Sequence, residues 1–151
     1  MNYEEYEKEC KKNERTNKRL LKIFEGDLIE AGLSDKTIKN HLSNVDFYLN
    51  DFLVGRTAHP MEDGIEWLDD FLGDFYIYKC MWSTPANIKT TAASIKKFYK
   101  SMLAHDKIDK TSYESLCTEI KESMAIWQDR CASFNDSDSD PFEEIFDLFG
   151  F

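Results

Sequence analysis

Apolar residues recur along this chain at three- and four-residue steps, and two stretches fifty residues apart follow the same template. "KTIKNHLSNVDFYLNDFL" ends at Leu53 and "ANIKTTAASIKKFYKSML" ends at Leu103, with their apolar positions coinciding one for one. Ile38 matches Ile88, Leu42 matches Ala92, Val45 matches Ile95 and Tyr48 matches Phe98; Leu49 then matches Tyr99, Phe52 matches Met102 and Leu53 matches Leu103. Residues 4, 7, 11 and 14 apart fall within about forty degrees of one another on a helix, so each segment presents one continuous stripe. Two repeats are too few for a solenoid, which needs at least about three. The pattern therefore predicts two similar helices sharing the core of one pseudo-symmetric domain.

Three further helices are expected around that pair. The first starts within "NYEEYEKECKK" and runs toward Ala31, with Leu20, Leu21, Phe24 and Leu28 on its apolar side, a first half prone to fraying, and Gly32 as its stop. The second, first copy of the template, opens at Ser34 or Asp35 and ends near Val54 and Gly55, after which "GRTAHPMEDG" reads as an exposed loop. From Ile65 to Trp82 large apolar residues crowd without alternation, which predicts a buried central helix. Thr84 as cap and Pro85 in the first turn open the fourth helix. A last helix is expected from Thr111, with Glu114 completing a capping box, and carries Tyr113, Leu116, Ile120, Met124, Trp127, Cys131 and Phe134 at helical spacing. Phe47 falls opposite the main stripe of its helix and needs cover, for which the first helix is the expected source.

Composition sharpens this to an all-α fold: 151 residues suit one domain, 42% are hydrophobic, and only 6 Gly and 3 Pro leave little room for loops. The expected organisation is a single helical bundle of about five helices over 1–134, followed by an acidic, Phe-rich segment over 135–151. Cys10, Cys80, Cys117 and Cys131 show no CxxC spacing, and His41, His59 and His105 fall in different elements, so neither a metal nor a disulfide framework is expected. With no apolar run of about eighteen residues and a polar beginning, neither a membrane span nor a signal peptide is expected, and the cytoplasm is the default location.

The formal charge of −10 opposes nucleic-acid binding, which depends on Lys and Arg displacing counterions. Its distribution works the other way: residues 75 to 105 hold five lysines and no acid, and residues 8 to 22 hold seven bases against two acids. Residues 25 to 74, by contrast, carry twelve acids against three bases, and the last seventeen residues add six acids and no base. Within the basic 8–22 stretch, "KKNERTNKRLLK" at 11–22 is read as a mixed-charge helix start, with Glu14 four residues before Lys18, in preference to a nucleic-acid arm.

The element order, with "GLSDKT" (Gly32, Leu33, Ser34, Thr37) before one helix and "TPANI" (Thr84, Pro85, Ile88) before another that carries Ile95, Phe98, Tyr99, Met102 and Leu103, resembles the N-terminal core-binding domain of tyrosine recombinases, the SAM-like domain of phage integrases. The resemblance covers roughly Leu20 to Leu103. It implies half of a clamp around duplex DNA, with contacts carried over by position to Lys36, Lys39, Asn40 and Ser43 on the second helix and Lys89, Lys96, Lys97 and Lys100 on the fourth. The catalytic machinery of that family lies in a C-terminal domain for which there is no room here, and Arg15, Arg19, Arg56 and Arg130 are not spaced as a phosphate clamp. No strand cleavage, cofactor or metal is expected. The rival expectation is a protein-interaction module that keeps this fold without binding DNA and holds a partner, or a second copy of itself, through Phe142, Ile145, Phe146 and Phe149 of the terminal segment, whose pattern suits a short amphipathic helix docked either on this domain or in another protein's groove.

Overall fold

The computed structural model describes residues 2–80 and 83–137, and among them the chain is all-α without a strand. Five helices account for it. The first, α1, is Tyr3–Glu30. The second, α2, is α-helical over Asp35–Asp46, π-helical over Phe47–Val54 and closes with the turn Gly55–Thr57. A 3₁₀ turn, Met61–Ile65, leads into α3, which consists of Leu68–Asp70, the π-helical Phe71–Phe75 and Tyr76–Lys79. Helices α4, Pro85–Ala104, and α5, Lys110–Ser137, complete the bundle, so the last helix runs three residues past the boundary expected at 134.

Local chemistry sets most of these boundaries. Asn2 and Glu5 form a capping box on α1, the Ser34 hydroxyl accepts the Thr37 N–H at 3.2 Å, and Thr84 with Asn87 boxes α4 behind Pro85. Gly32, at φ +79°, takes the left-handed position that ends α1. Helix α5 departs from expectation. Its cap is Asp109, whose carboxylate accepts the Ser112 N–H at 2.7 Å, while Glu114 lies 3.8 Å from the Lys110 ammonium instead of boxing with Thr111.

Both copies of the template feed one core. Ile38, Val45, Tyr48, Leu49 and Phe52 are buried beside Ile88, Ile95, Phe98, Tyr99 and Met102, and Phe24 of α1 meets Phe98 edge-on at 5.5 Å. The copies diverge in backbone after Asp46. Phe52, Leu53 and Val54 are consecutive and all buried, an arc of about 200° on an α-helix, and i→i+5 bonding widens the turn so that the three share one side. Phe71, Leu72 and Gly73 of α3 are likewise consecutive and buried in a π-helical stretch. The two wide segments face each other through a cluster of rings. There Phe47 finds its cover in Phe71, Phe75 and Tyr76 of α3, with centroids 5.8, 5.9 and 6.3 Å away, and not in α1 as expected.

The 55–64 connection is not an exposed loop. Ala58, Met61 and Gly64 are buried, the Tyr99 hydroxyl donates to the Met61 carbonyl at 2.7 Å, and the Tyr48 hydroxyl donates to the Gly64 carbonyl. Asn13 of α1 donates to the Ala58 carbonyl at 2.8 Å and Asn17 to the side chain of Asn50 at 2.8 Å. These buried amides tie the middle of α1 to α2 and to the turn that follows it.

A second polar clasp joins α1 to the end of α4: the Ser101 hydroxyl donates to Asp27, and His105 Nε2 lies 3.0 Å from the same carboxylate. The Ser101 hydrogen bond, helped by His105, holds the Asp27 carboxyl below its ordinary value. A carboxylate depressed in the folded state contributes stability above its unfolded pKa, and that stability is lost as pH falls through the folded pKa. Asp27→Asn should therefore flatten the acid limb of the stability–pH curve below about pH 4 relative to the parent, as read by denaturant midpoints from about pH 7 to about pH 2.

Candidate nucleic-acid interface

The interface begins where the two template helices touch. His41 Nδ1 of α2 lies 2.8 Å from the Ser94 hydroxyl of α4, and the Asn44 amide donates to the same oxygen at 3.0 Å. Partial burial, reinforced by the nearby Lys97 ammonium, holds the His41 imidazole below its ordinary pKa. The ring is thus neutral at pH 7 and serves the helix contact, while Lys97 is the lysine that looks across at α2.

All eight residues expected to contact DNA are exposed: Lys36, Lys39, Asn40 and Ser43 on α2, and Lys89, Lys96, Lys97 and Lys100 on α4. Among the described residues, none of the six lysines has a carboxylate within 4 Å. They do not form one strip. At 100° per residue, Lys89, Lys96 and Lys100 fall within about 40° of one another but roughly 120–160° round α4 from Ser94, which marks the side turned to α2. Lys97 stands between, roughly 60° from Ser94.

The α2 residues divide in the same way. Lys36 and Asn40 lie opposite Ile38 and face outward, whereas Lys39 and Ser43 line a groove against α1 together with Lys18, Lys22 and Glu25. The groove gathers three lysines, Lys18, Lys22 and Lys39, around the apolar floor of Leu21 and Leu42, with Glu25 and Asp46 at its margin. Lys18 and Lys22 are not singled out by the sequence, where they belong to a mixed-charge run. The available signal is their four-residue spacing on the side of α1 adjacent to Leu21. Glu14 and Lys18 form no ion pair among the described residues.

Acidic side chains gather elsewhere. Glu62, Glu66, Asp109 and Glu119 border a shallow groove between the 3₁₀ turn and the start of α5, and Asp70 and Asp74 flank a small pocket under Trp67. In that pocket the aromatic faces are already used: His59 stacks on Trp67 at 4.8 Å, and the Arg56 guanidinium sits 5.6 Å from the Phe75 ring and 5.8 Å from Phe52. No group of three His, Cys, Asp or Glu side chains among the described residues is arranged to hold a metal. The four cysteines are unpaired, with Cys131 buried and its sulfur within 3.5 Å of the Ser83 hydroxyl. No described helix is long and apolar enough to cross a membrane.

Phe142, Ile145, Phe146 and Phe149, the residues expected to take a partner, lie outside the described residues. No protein-family model, curated protein or solved structure matches the chain.

Proposed function

We propose that this chain is a non-catalytic module that associates with duplex DNA, resembling the core-binding half of a tyrosine recombinase and acting as an accessory to DNA recombination. One observation carries the proposal: Lys89, Lys96 and Lys100 project from one flank of α4, exposed and free of ion pairs among the described residues, within a thirty-one-residue stretch that contains no acid. Ammonium groups on such a flank suit phosphate contacts, which fix position and register without reading sequence. Lys97, on the side of α4 toward α2, and the groove that holds Lys18, Lys22 and Lys39 add further exposed ammonium groups. The fold reading is the finer half of the same proposal, since capped helix starts at Ser34 and Thr84 are features a core-binding domain shares with other bundles.

At low salt the purified protein should retard a duplex in a native gel, and Lys96→Glu with Lys100→Glu should abolish the retardation while leaving the circular dichroism spectrum unchanged. Absence of retardation by the parent, or equal retardation by the double variant, overturns the proposal.

A second reading, an acidic protein-interaction module, draws on the net charge of −10 and on the apolar–acidic pattern of "PFEEIFDLFGF". Loss of a partner or of self-association on substituting Phe146, with DNA absent throughout, is its distinguishing result.

A further inference from the structure

Among the described residues, four large hydrophobic side chains stand exposed, and two of them occur together: Tyr78 at the end of α3, 62% exposed, and Ile126 of α5, 51% exposed. They line a groove between α3 and α5 whose floor holds Ile77, with Arg130 on its rim and Phe134 meeting the Tyr78 ring edge-on at 4.9 Å. Arg130 also stands 3.6 Å from Asp69, whose carboxylate accepts the Trp127 indole N–H at 2.7 Å. The wall is therefore fixed by the contacts behind it, and Asp129 and Ser133 stand beside the apolar Tyr78, Ile126 and Phe134 along the groove.

We infer that this groove is the seat of the chain's own terminal segment, residues 141–151, docked back on the domain that carries it. Three facts on the molecule argue for that occupant. The chain leaves α5 at Ser137 with fourteen residues still to come. Ile126 lies eleven residues earlier on the same helix, about 16 Å back along its axis, and the five residues from Ser137 to Phe142 span up to roughly 17 Å when extended. After the polar "SDSD" at 137–140, the segment places Phe142, Ile145, Phe146 and Phe149 at three- and four-residue steps, with Glu143, Glu144 and Asp147 between them.

On a helix that spacing writes one apolar stripe about 100° wide, suited to a groove that offers two apolar side chains to solvent. Docking within the chain also has an entropic advantage over capture of a separate partner, because a short connection makes the effective concentration high. The inference stands whether or not the lysine flank of α4 meets DNA.

Hydrogen exchange followed by mass spectrometry on the full-length protein tests it. In the parent, amides of 142–149 should exchange at least tenfold more slowly than an unstructured chain, independent of protein concentration. Ile126→Asp, a change at an exposed position, should remove that protection while leaving the exchange of α1 and α4 unaltered, and Phe146→Asp should do the same from the other side of the groove. Unprotected amides in the parent overturn the inference, as does protection that survives both substitutions. Protection that rises with concentration alongside a dimer mass in sedimentation also overturns it, in favour of a second copy as the occupant.

Discussion

Gly64→Ala should destabilise the protein by about 3 kcal/mol or more, measured as the shift in a denaturant unfolding midpoint at constant slope. A methyl group built at this position overlaps the Tyr99 hydroxyl and comes within 3.1 Å of Leu53 and of the Tyr48 ring. Neither tyrosine can move cheaply: both are fully buried, Tyr48 donates to the Gly64 carbonyl and Tyr99 to the Met61 carbonyl. Burial raises both phenols well above their ordinary pKa, which favours the protonated, hydrogen-bond-donating form. Displacing either leaves a buried hydroxyl and a buried carbonyl unsatisfied, each costing about 1–3 kcal/mol, in addition to overpacking. Gly26→Ala is the matching control. Nothing stands within 4 Å of the added methyl on α1, and the change should stabilise the protein by about 0.5–1 kcal/mol. If Gly64→Ala costs no more than an ordinary surface change, the tight passage of the 61–65 turn beneath the two tyrosines is wrong.

Phe71→Ala should cost about 3–5 kcal/mol by the same measurement. The Phe71 ring is fully buried, with Tyr48 at 4.6 Å, Phe52 at 5.2 Å, Tyr76 at 5.7 Å, Phe47 at 5.8 Å and Phe75 at 6.0 Å between centroids. It is the common neighbour of the rings contributed by the two π-helical stretches. Its removal empties the centre of that cluster, where rigid aromatic rings anchored on two backbones relax little into a void. Phe71→Leu, which keeps most of the volume, should recover more than half of the stability. Equal destabilisation by alanine and leucine would contradict the ring cluster as the element joining α2 to α3.

Those two sites mark the boundary between what is legible in the sequence and what is not. The repeated stripe, the Ser34 and Thr84 starts and the Gly32 stop are readable because each depends on neighbours three or four residues away. The π-helical stretches are not, because they answer to packing between segments, where runs of consecutive buried residues on α2 and α3 meet. The 55–64 connection looks polar in sequence, yet its backbone is satisfied by side chains from distant positions, Asn13, Tyr48 and Tyr99. Asp109 displaces Thr111 as the cap of α5 because a carboxylate two residues earlier reaches the Ser112 amide. For the candidate interface, helical phase places Lys89, Lys96 and Lys100 together, while the contribution of Lys18 and Lys22 beside Lys39 depends on how α1 lies against α2, which phase within a single helix does not encode.

The most direct test of the DNA proposal is the salt dependence of duplex binding, read by fluorescence anisotropy for the parent and for Lys96→Ala with Lys100→Ala. Removing two ammonium groups that each neutralise a phosphate should reduce the slope of log K against log salt by about 2, with weakening equal across unrelated duplex sequences. An unchanged slope in the double variant, or a parent whose binding does not respond to salt at all, would contradict a phosphate-facing α4.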